Sequence, residues 1–187
     1  MQSLGAGALR IIGWRLVLEP PPRKAVIMVY PHTSNWDFVI GMFARWATNL
    51  QIHWAGKDTL FRWPFARLLK RLGGIPVNRR ERTGFTGQMA AEFARREEFL
   101  LVIAPEGTRK RTEYLKSGFY HLALEAKVPL GFAFFDYTRR EVGIGAYVEL
   151  SGNVQADLAT ITAYYSDRRA CRPERAGALR FKTNEGR

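Results

Sequence analysis

The chain has 187 residues, 47% hydrophobic and 25% charged, proportions of a folded globular domain that exclude wholesale disorder and a fibrous repeat. A single domain of this size buries about 70% of its unfolded surface without a disulfide scaffold, and its one cysteine, Cys171, fits a reducing compartment. Twenty-nine Lys and Arg against seventeen Asp and Glu give a net charge of +12, which favours phospholipid headgroups, a phosphorylated substrate or nucleic acid without choosing among them.

In chain order, residues 4–18 form an apolar run broken by Arg10 and Arg15. With no basic segment ahead of it, the run argues against a secretory signal peptide and predicts an amphipathic helix lying on a surface. The longest stretch free of charge is residues 25–36, twelve residues, whereas a spanning helix needs about 20, so no segment is expected to cross a bilayer. After the stiff breaker Pro20-Pro21-Pro22, residues 25–30 (AVIMVY) read as a buried strand closed by Pro31. Residues 35–48 then carry Trp36, Val39, Ile40, Phe43, Trp46 and Ala47 at helical spacing, and residues 51–55 suit a short strand. Residues 60–72 mix large apolar side chains with Arg62, Arg67, Lys70 and Arg71, and end at Gly73-Gly74 as helices do, before a strand at 75–78. A helix at 87–98, a buried strand at 99–104 (FLLVIA), a helix at 118–126 and neighbouring strands at 128–136 and 141–150 follow. Alternating strands and helices predict an α/β fold: a single domain with a largely parallel or mixed central sheet flanked by helices and an antiparallel pair near its end. The tail from Arg168 holds seven basic and two acidic residues and is expected to be loosely held.

Three constellations carry candidate chemistry. His32 precedes Asp37 by five positions, across the loop from the first long strand into a helix. An aspartate that accepts the Nδ1 proton of an imidazole fixes its tautomer and leaves Nε2 to take a proton from a hydroxyl, which makes His32 a candidate base. Equally, Ser34 with Asp37 three residues on has the spacing of a helix capping box. The run Ala104-Pro105-Glu106-Gly107-Thr108-Arg109 leaves another apolar strand at the edge where open α/β sheets bind ligands, and it also suits an ordinary turn. After Gly73-Gly74-Ile75-Pro76-Val77-Asn78, the Arg79 guanidinium suits either a bidentate grip on phosphate or a solvated position. His32, His53 and His121 lack metal-ligand spacing, and there is no Gly-x-Ser-x-Gly elbow, so neither a metal nor a covalent acyl-enzyme is expected.

The ordered set His-x4-Asp, Gly-Gly-Ile-Pro-Val-Asn-Arg, Pro-Glu-Gly-Thr-Arg and Val128-Pro129-Leu130-Gly131 resembles the four motifs of the glycerolipid acyltransferase family, whose best-known members acylate lysophosphatidic acid. The likeness covers residues 26–137. It implies the family's α/β acyltransferase domain over residues 25–167, preceded by an amphipathic helix and proline-rich connection at 1–24 and followed by a basic tail at 168–187. It implies His32 as the catalytic base, Asp37 as its partner, and Arg79, Glu106, Gly107, Thr108 and Arg109 at the acceptor's glycerol phosphate. The implied reaction moves a fatty acyl group from an acyl-CoA or acyl-carrier protein thioester to the hydroxyl of a lysophospholipid, lysophosphatidic acid foremost, a step of phospholipid biosynthesis. No cofactor is expected beyond the donor substrate. Backbone N–H groups near Gly107 or Gly74 are candidates for stabilising the tetrahedral oxyanion. Pro31 where many members carry Asn, Ala104 where an aromatic is usual, and Lys110 for the frequent Ser bear on the acceptor more than on the reaction.

An amphipathic acceptor requires the protein to meet a membrane. Residues 57–80 hold seven basic residues and one acidic, interleaved with large apolar side chains. Within them Phe61, Arg62, Trp63, Phe65, Arg67, Lys70 and Arg71 are expected to contact an anionic membrane surface, peripherally and from the cytoplasmic face. The same apolar residues would equally serve to pack the segment on the sheet. Charge and aromatic content also permit a basic nucleic-acid-binding protein, but no RNA- or DNA-binding motif is present and the ordered motifs would go unexplained, so no nucleic-acid partner is expected. A non-catalytic lipid-binding relative would keep the fold without needing both His32 and Asp37.

Overall fold

Apolar runs of strand length, alternating with segments of helical period, build a layered α/β molecule. The computed structural model describes residues 1–78 and 82–182. The strands are β1 (Arg15–Leu18), β2 (Lys24–Val29), β3 (Ile52–Lys57), β4 (Gly74–Val77), β5 (Phe99–Ile103), β6 (Leu130–Asp136) and β7 (Glu141–Val148). The helices are α1 (Gln2–Ile11), α2 (Asn35–Thr48), α3 (Ala66–Arg71), α4 (Arg82–Arg95), α5 (Gly118–Ala126) and α6 (Val154–Tyr165). These described strands form one sheet in the order β1-β7-β6-β2-β5-β3-β4. The central strand β2 is parallel to β5 and β6, and β3 and β4 continue parallel beyond β5. Strand β7 runs antiparallel to β6, and β1 lies parallel to β7 at the edge.

β2 is apolar throughout because both of its faces are covered. Ala25, Ile27 and Val29 belong to one core with Leu9 of α1 and Ile40, Ala44 and Ala47 of α2. Val26 and Met28 belong to another with Phe93 of α4, Phe119 of α5 and Ile161 of α6. Full burial of each large apolar side chain contributes about 1.5–3 kcal/mol. That packing fixes β2, β5 and β6 as parallel neighbours, so the loops leaving their C-terminal ends emerge along one edge, where ligands bind in open α/β sheets.

Helix α4 begins at Arg82 and ends at Arg95 rather than spanning 87–98, and α6 is not among the elements expected from the sequence. The structure departs from the sequence expectations in three further places. Residues 4–18 are not one helix: α1 stops at Ile11, the chain turns through Gly13 at φ +71°, and Arg15–Leu18 joins the sheet. Two features of β7 hold β1 there. Arg15 forms an ion pair with the buried Glu141, and Gly143 permits close approach, since a Cβ at that position would collide with the Val17 carbonyl oxygen. Residues 60–72 are helical only over Ala66–Arg71, because Pro64 interrupts the segment and a 3-10 turn at Asp58–Leu60 precedes it. The tail is not loose over its described part. The Arg168 guanidinium sits 4.0 Å above the Phe134 ring, and Leu115 forms a parallel bridge with Phe181. No described helix is long and apolar enough to cross a membrane.

Candidate active site

The loop between β2 and α2 carries His32 and starts the helix with Asp37. Asp37 is buried, and its Oδ2 accepts the N–H groups of Thr33 and Ser34, each at 2.9 Å, while Ser34 Oγ accepts the Trp36 N–H at 3.2 Å. The carboxylate therefore caps the helix. It also faces the imidazole: His32 Nδ1 lies 3.1 Å from Asp37 Oδ2, outside the alignment of a good hydrogen bond, as expected where that oxygen already takes two amides. The two readings of Asp37 left open by the sequence coexist in one side chain. With Nδ1 turned to the acid, Nε2 is the nitrogen left for a substrate proton.

Asp37 has a third partner. The Tyr137 hydroxyl, just beyond β6, donates to Asp37 Oδ1 at 2.7 Å. Burial pushes the Asp37 pKa up, but the facing His32 imidazole and the hydrogen bonds from Tyr137 and the Ser34 amide outweigh it, and the carboxyl stays below its ordinary value of 3.8. The Tyr137 hydroxyl is pushed up by burial and then by the neighbouring Asp37, so it stays a donor.

Glu106, on the loop after β5, is only 2% exposed. Its Oε2 accepts the His32 backbone N–H at 2.7 Å and its Oε1 accepts the Gly177 N–H at 2.8 Å. Burial raises its pKa, partly offset by those two N–H donors. Expected at the acceptor's phosphate, Glu106 instead points inward, with each carboxylate oxygen taken by main chain. Gly107 follows at φ +67° with its N–H bonded to the Ala104 carbonyl at 3.0 Å, so that N–H is engaged within its own turn. Thr108 and Arg109 are exposed on the same loop, and Thr108 Oγ1 accepts the Lys110 N–H at 3.2 Å. Gly74 lies buried in β4 beneath the Phe61 ring. Arg79 lies outside the described residues.

Between α2 and the sheet runs an apolar cavity of about 190 Å³, with Phe38, Gly41, Met42, Trp54, Ala133 and Phe135 among its walls and His32 and Asp37 part of its lining. The Trp54 ring stacks on Phe61 at 5.6 Å and meets Phe38 edge-on at 5.2 Å. Of the residues expected to contact a membrane, Phe61 is therefore half-buried against Trp54. Arg62, Trp63, Phe65, Arg67, Lys70 and Arg71 are exposed, Trp63 by 92%. No group of three or more His, Cys, Asp or Glu side chains among the described residues could hold a metal ion.

Sequence reasoning brought His32 and Asp37 together and missed Tyr137 and Gly177. Tyr137 had one usable signal, its place at the end of a strand parallel to β2; Gly177 had none.

The Acyltransferase family model matches residues 18–131. No curated protein matches the chain significantly. Among solved structures, the 1-acyl-sn-glycerophosphate (LPA) acyltransferase PlsC from Thermotoga maritima is similar at a TM-score of 0.58 and 15% identity, over 90% of this chain and 79% of that one. A family match across more than half of the sequence makes the chain a member of the Acyltransferase family, on a fold similar to that of PlsC.

Proposed function

We propose that the chain transfers a fatty acyl group from a thioester, acyl-CoA or acyl-carrier protein, to the free hydroxyl of a lysophospholipid, with lysophosphatidic acid the leading acceptor. One observation carries this reading: an imidazole stands against a buried carboxylate in the lining of an apolar cavity. His32 Nε2 removes the hydroxyl proton as the oxygen attacks the thioester carbonyl. The tetrahedral intermediate collapses with cleavage of the C–S bond, and the protonated imidazole returns its proton to the leaving thiolate. Asp37 holds the ring in the required tautomer and stabilises the imidazolium. General-base assistance of this kind is worth about 10²–10⁴ in rate, or roughly 3–5 kcal/mol. The cavity receives the acyl chain, whose burial contributes about 0.8 kcal/mol per methylene.

The exposed cations Arg109, Arg62 and Arg67 supply a field for an anionic acceptor and for the anionic surface in which it sits, with the protein bound peripherally. The acceptor named for PlsC supports lysophosphatidic acid as the first substrate to try. The test incubates the purified full chain with labelled acyl-CoA, or with acyl-carrier protein, and a panel of lyso-lipids, identifying products by mass spectrometry. Formation of phosphatidic acid is the expected result; no acyl transfer to any lyso-lipid from either donor overturns the reading.

A further inference from the structure

The family match ends at residue 131, yet a segment well beyond it grips the loop that carries His32. Arg172 N–H donates to Thr33 Oγ1 at 3.1 Å, and Thr33 is buried. The Gly177 peptide is held from both sides: its N–H donates to Glu106 Oε1 at 2.8 Å, and its carbonyl accepts the Tyr30 hydroxyl at 2.7 Å. The other Glu106 oxygen takes the His32 N–H at 2.7 Å. Further along, Ala178 N–H bonds to the Thr112 carbonyl at 3.1 Å and Leu115 N–H to the Arg180 carbonyl at 2.7 Å. On the other side of the site, Tyr137 N–H bonds to the Arg169 carbonyl at 2.9 Å, which ties the same segment to the residue that donates to Asp37.

We infer that residues 168–182 are a built-in strap of the active site, and that Glu106 is a positioning residue through which the strap sets the backbone of His32. Three residues at the start of the catalytic loop, Tyr30, His32 and Thr33, each bond to this segment directly or through one carboxylate. A buried carboxylate is costly unless its oxygens are hydrogen-bonded, and a carboxylate that joins two amides fixes their separation where an apolar contact would not. Glu106 is retained in that condition, with burial pushing its pKa up. Gly177 fits the same account: a Cβ there would collide with Thr112 Oγ1 and come within 3.3 Å of Glu106 Oε1, so only glycine brings the strap this close.

The inference rests on the reading of His32 as general base, and two measurements separate their failures. Glu106→Gln turns an amide N–H toward one of the two amide donors, and Tyr30→Phe releases only the Gly177 carbonyl. In folded protein we expect kcat to fall roughly tenfold or more for Glu106→Gln and several-fold for Tyr30→Phe, with the acceptor KM held within about threefold. Because both act through Gly177, the double variant falls little further than Glu106→Gln alone. Amide hydrogen exchange at residues 30–34 quickens in both. A raised KM with unchanged kcat would make Glu106 an acceptor contact and overturn the inference, as would unchanged kcat or unchanged exchange. If Glu106→Gln does not fold, Tyr30→Phe decides by the same criteria. Should the unmodified protein transfer no acyl group, the functional reading falls, and exchange at 30–34 alone decides whether the strap sets the loop.

Discussion

Tyr137 and Asp37 stand one hundred residues apart in the chain and 2.7 Å apart in space, the phenol donating to Oδ1 while the imidazole of His32 faces Oδ2. The Tyr137 ring is itself held edge-on by Trp14, at 4.9 Å between centroids, and its main chain by the Arg169 carbonyl. Asp37 thus has a fixed donor on the oxygen turned away from the histidine, which discourages rotation of the carboxylate.

Replacing Tyr137 with Phe removes that donor and leaves the packing. A hydrogen bond to a charged group is worth about 1.5–3 kcal/mol, so kcat should fall roughly 10-fold or more. The pH response has a definite sign. The Asp37 pKa is lowered in the fold, so its contribution to stability is present above its ordinary value of 3.8 and is lost as pH falls through the lower, folded value. Tyr137→Phe moves the folded value back up, so acid unfolding should begin at a higher pH than in the unmodified protein. Acid titration followed by circular dichroism measures this; an unmoved acid transition would show that the phenol does not hold the carboxylate.

Asp37 both caps α2 and faces His32, and substitution can separate these duties. Asp37 is the N3 member of the capping box that Ser34 opens, and an asparagine carboxamide oxygen can still accept the Thr33 and Ser34 N–H groups, so Asp37→Asn should leave the helix start intact, with stability within about 1–2 kcal/mol of the original. Turnover should fall about 10²-fold or more, because an amide cannot stabilise an imidazolium. His32→Ala should lose about 10²–10⁴ while the protein stays folded, since His32 is partly exposed and its backbone bond to Glu106 survives the change. Near-original turnover for either variant, in protein of unchanged melting temperature, would remove the pair from the chemistry.

The His32–Asp37 pair was legible because its geometry is local: five residues across a helix start leave the two side chains few ways to avoid each other. Glu106 could be placed at the right sheet edge but not given its partners, which lie 74 and 71 residues away in sequence. Only the sheet brings them together. Strand β1 was hidden for a different reason. Its four residues, RLVL, are too few to show a period, and the apolar run before them reads on as helix. Helix α6 is not anticipated from the sequence, although Asn153 marks its start, its side chain accepting the Gln155 and Ala156 N–H groups ahead of the buried Ile161 and Tyr165. The exposed aromatics after residue 60 could not be divided between core and surface from sequence, since Phe61 and Phe65 are the same residue type with opposite fates.

Gly41, on α2, lines the cavity, and a Cβ added there would stand 3.4 Å from Phe135 Cζ across it. Gly41→Leu therefore narrows the space beneath α2 while improving helix propensity by roughly 0.8–1 kcal/mol. If the cavity holds the acyl chain, excluding two methylenes forfeits about 1.6 kcal/mol. The variant should prefer shorter donors, with kcat/KM for long-chain acyl-CoA down about 10-fold or more relative to short-chain. Competition among donors of different length, read by mass spectrometry, measures the profile. A profile identical to that of the unmodified protein would mean that the chain lies elsewhere.

Trp63, Phe65 and Leu68 are 92%, 62% and 54% exposed, beside the exposed cations Arg62, Arg67, Lys70 and Arg71. Apolar side chains rimmed by cations suit the headgroup region of an anionic bilayer, and Phe61, Trp54 and Phe38 continue the aromatic contacts from this segment to the cavity wall. A lipid surface meeting the patch would therefore lie close to where the acyl chain must enter. Each large side chain inserted contributes about 1.5–3 kcal/mol and each cation about 1 kcal/mol near an anionic surface. Trp63→Ser with Phe65→Ser should therefore weaken binding to anionic vesicles by roughly 10²-fold, at any salt concentration. Arg67→Gln with Lys70→Gln should weaken it about 10-fold or more at low salt and far less at high salt, where surface charge is screened. In both cases the KM for vesicle-borne acceptor rises while kcat is kept, because no altered residue lines the His32 cavity. Liposome sedimentation with anionic and zwitterionic vesicles at low and high salt reads the binding, acyl transfer on the same vesicles reads KM and kcat, and equal binding of the original and Trp63/Phe65 proteins would assign the patch another role.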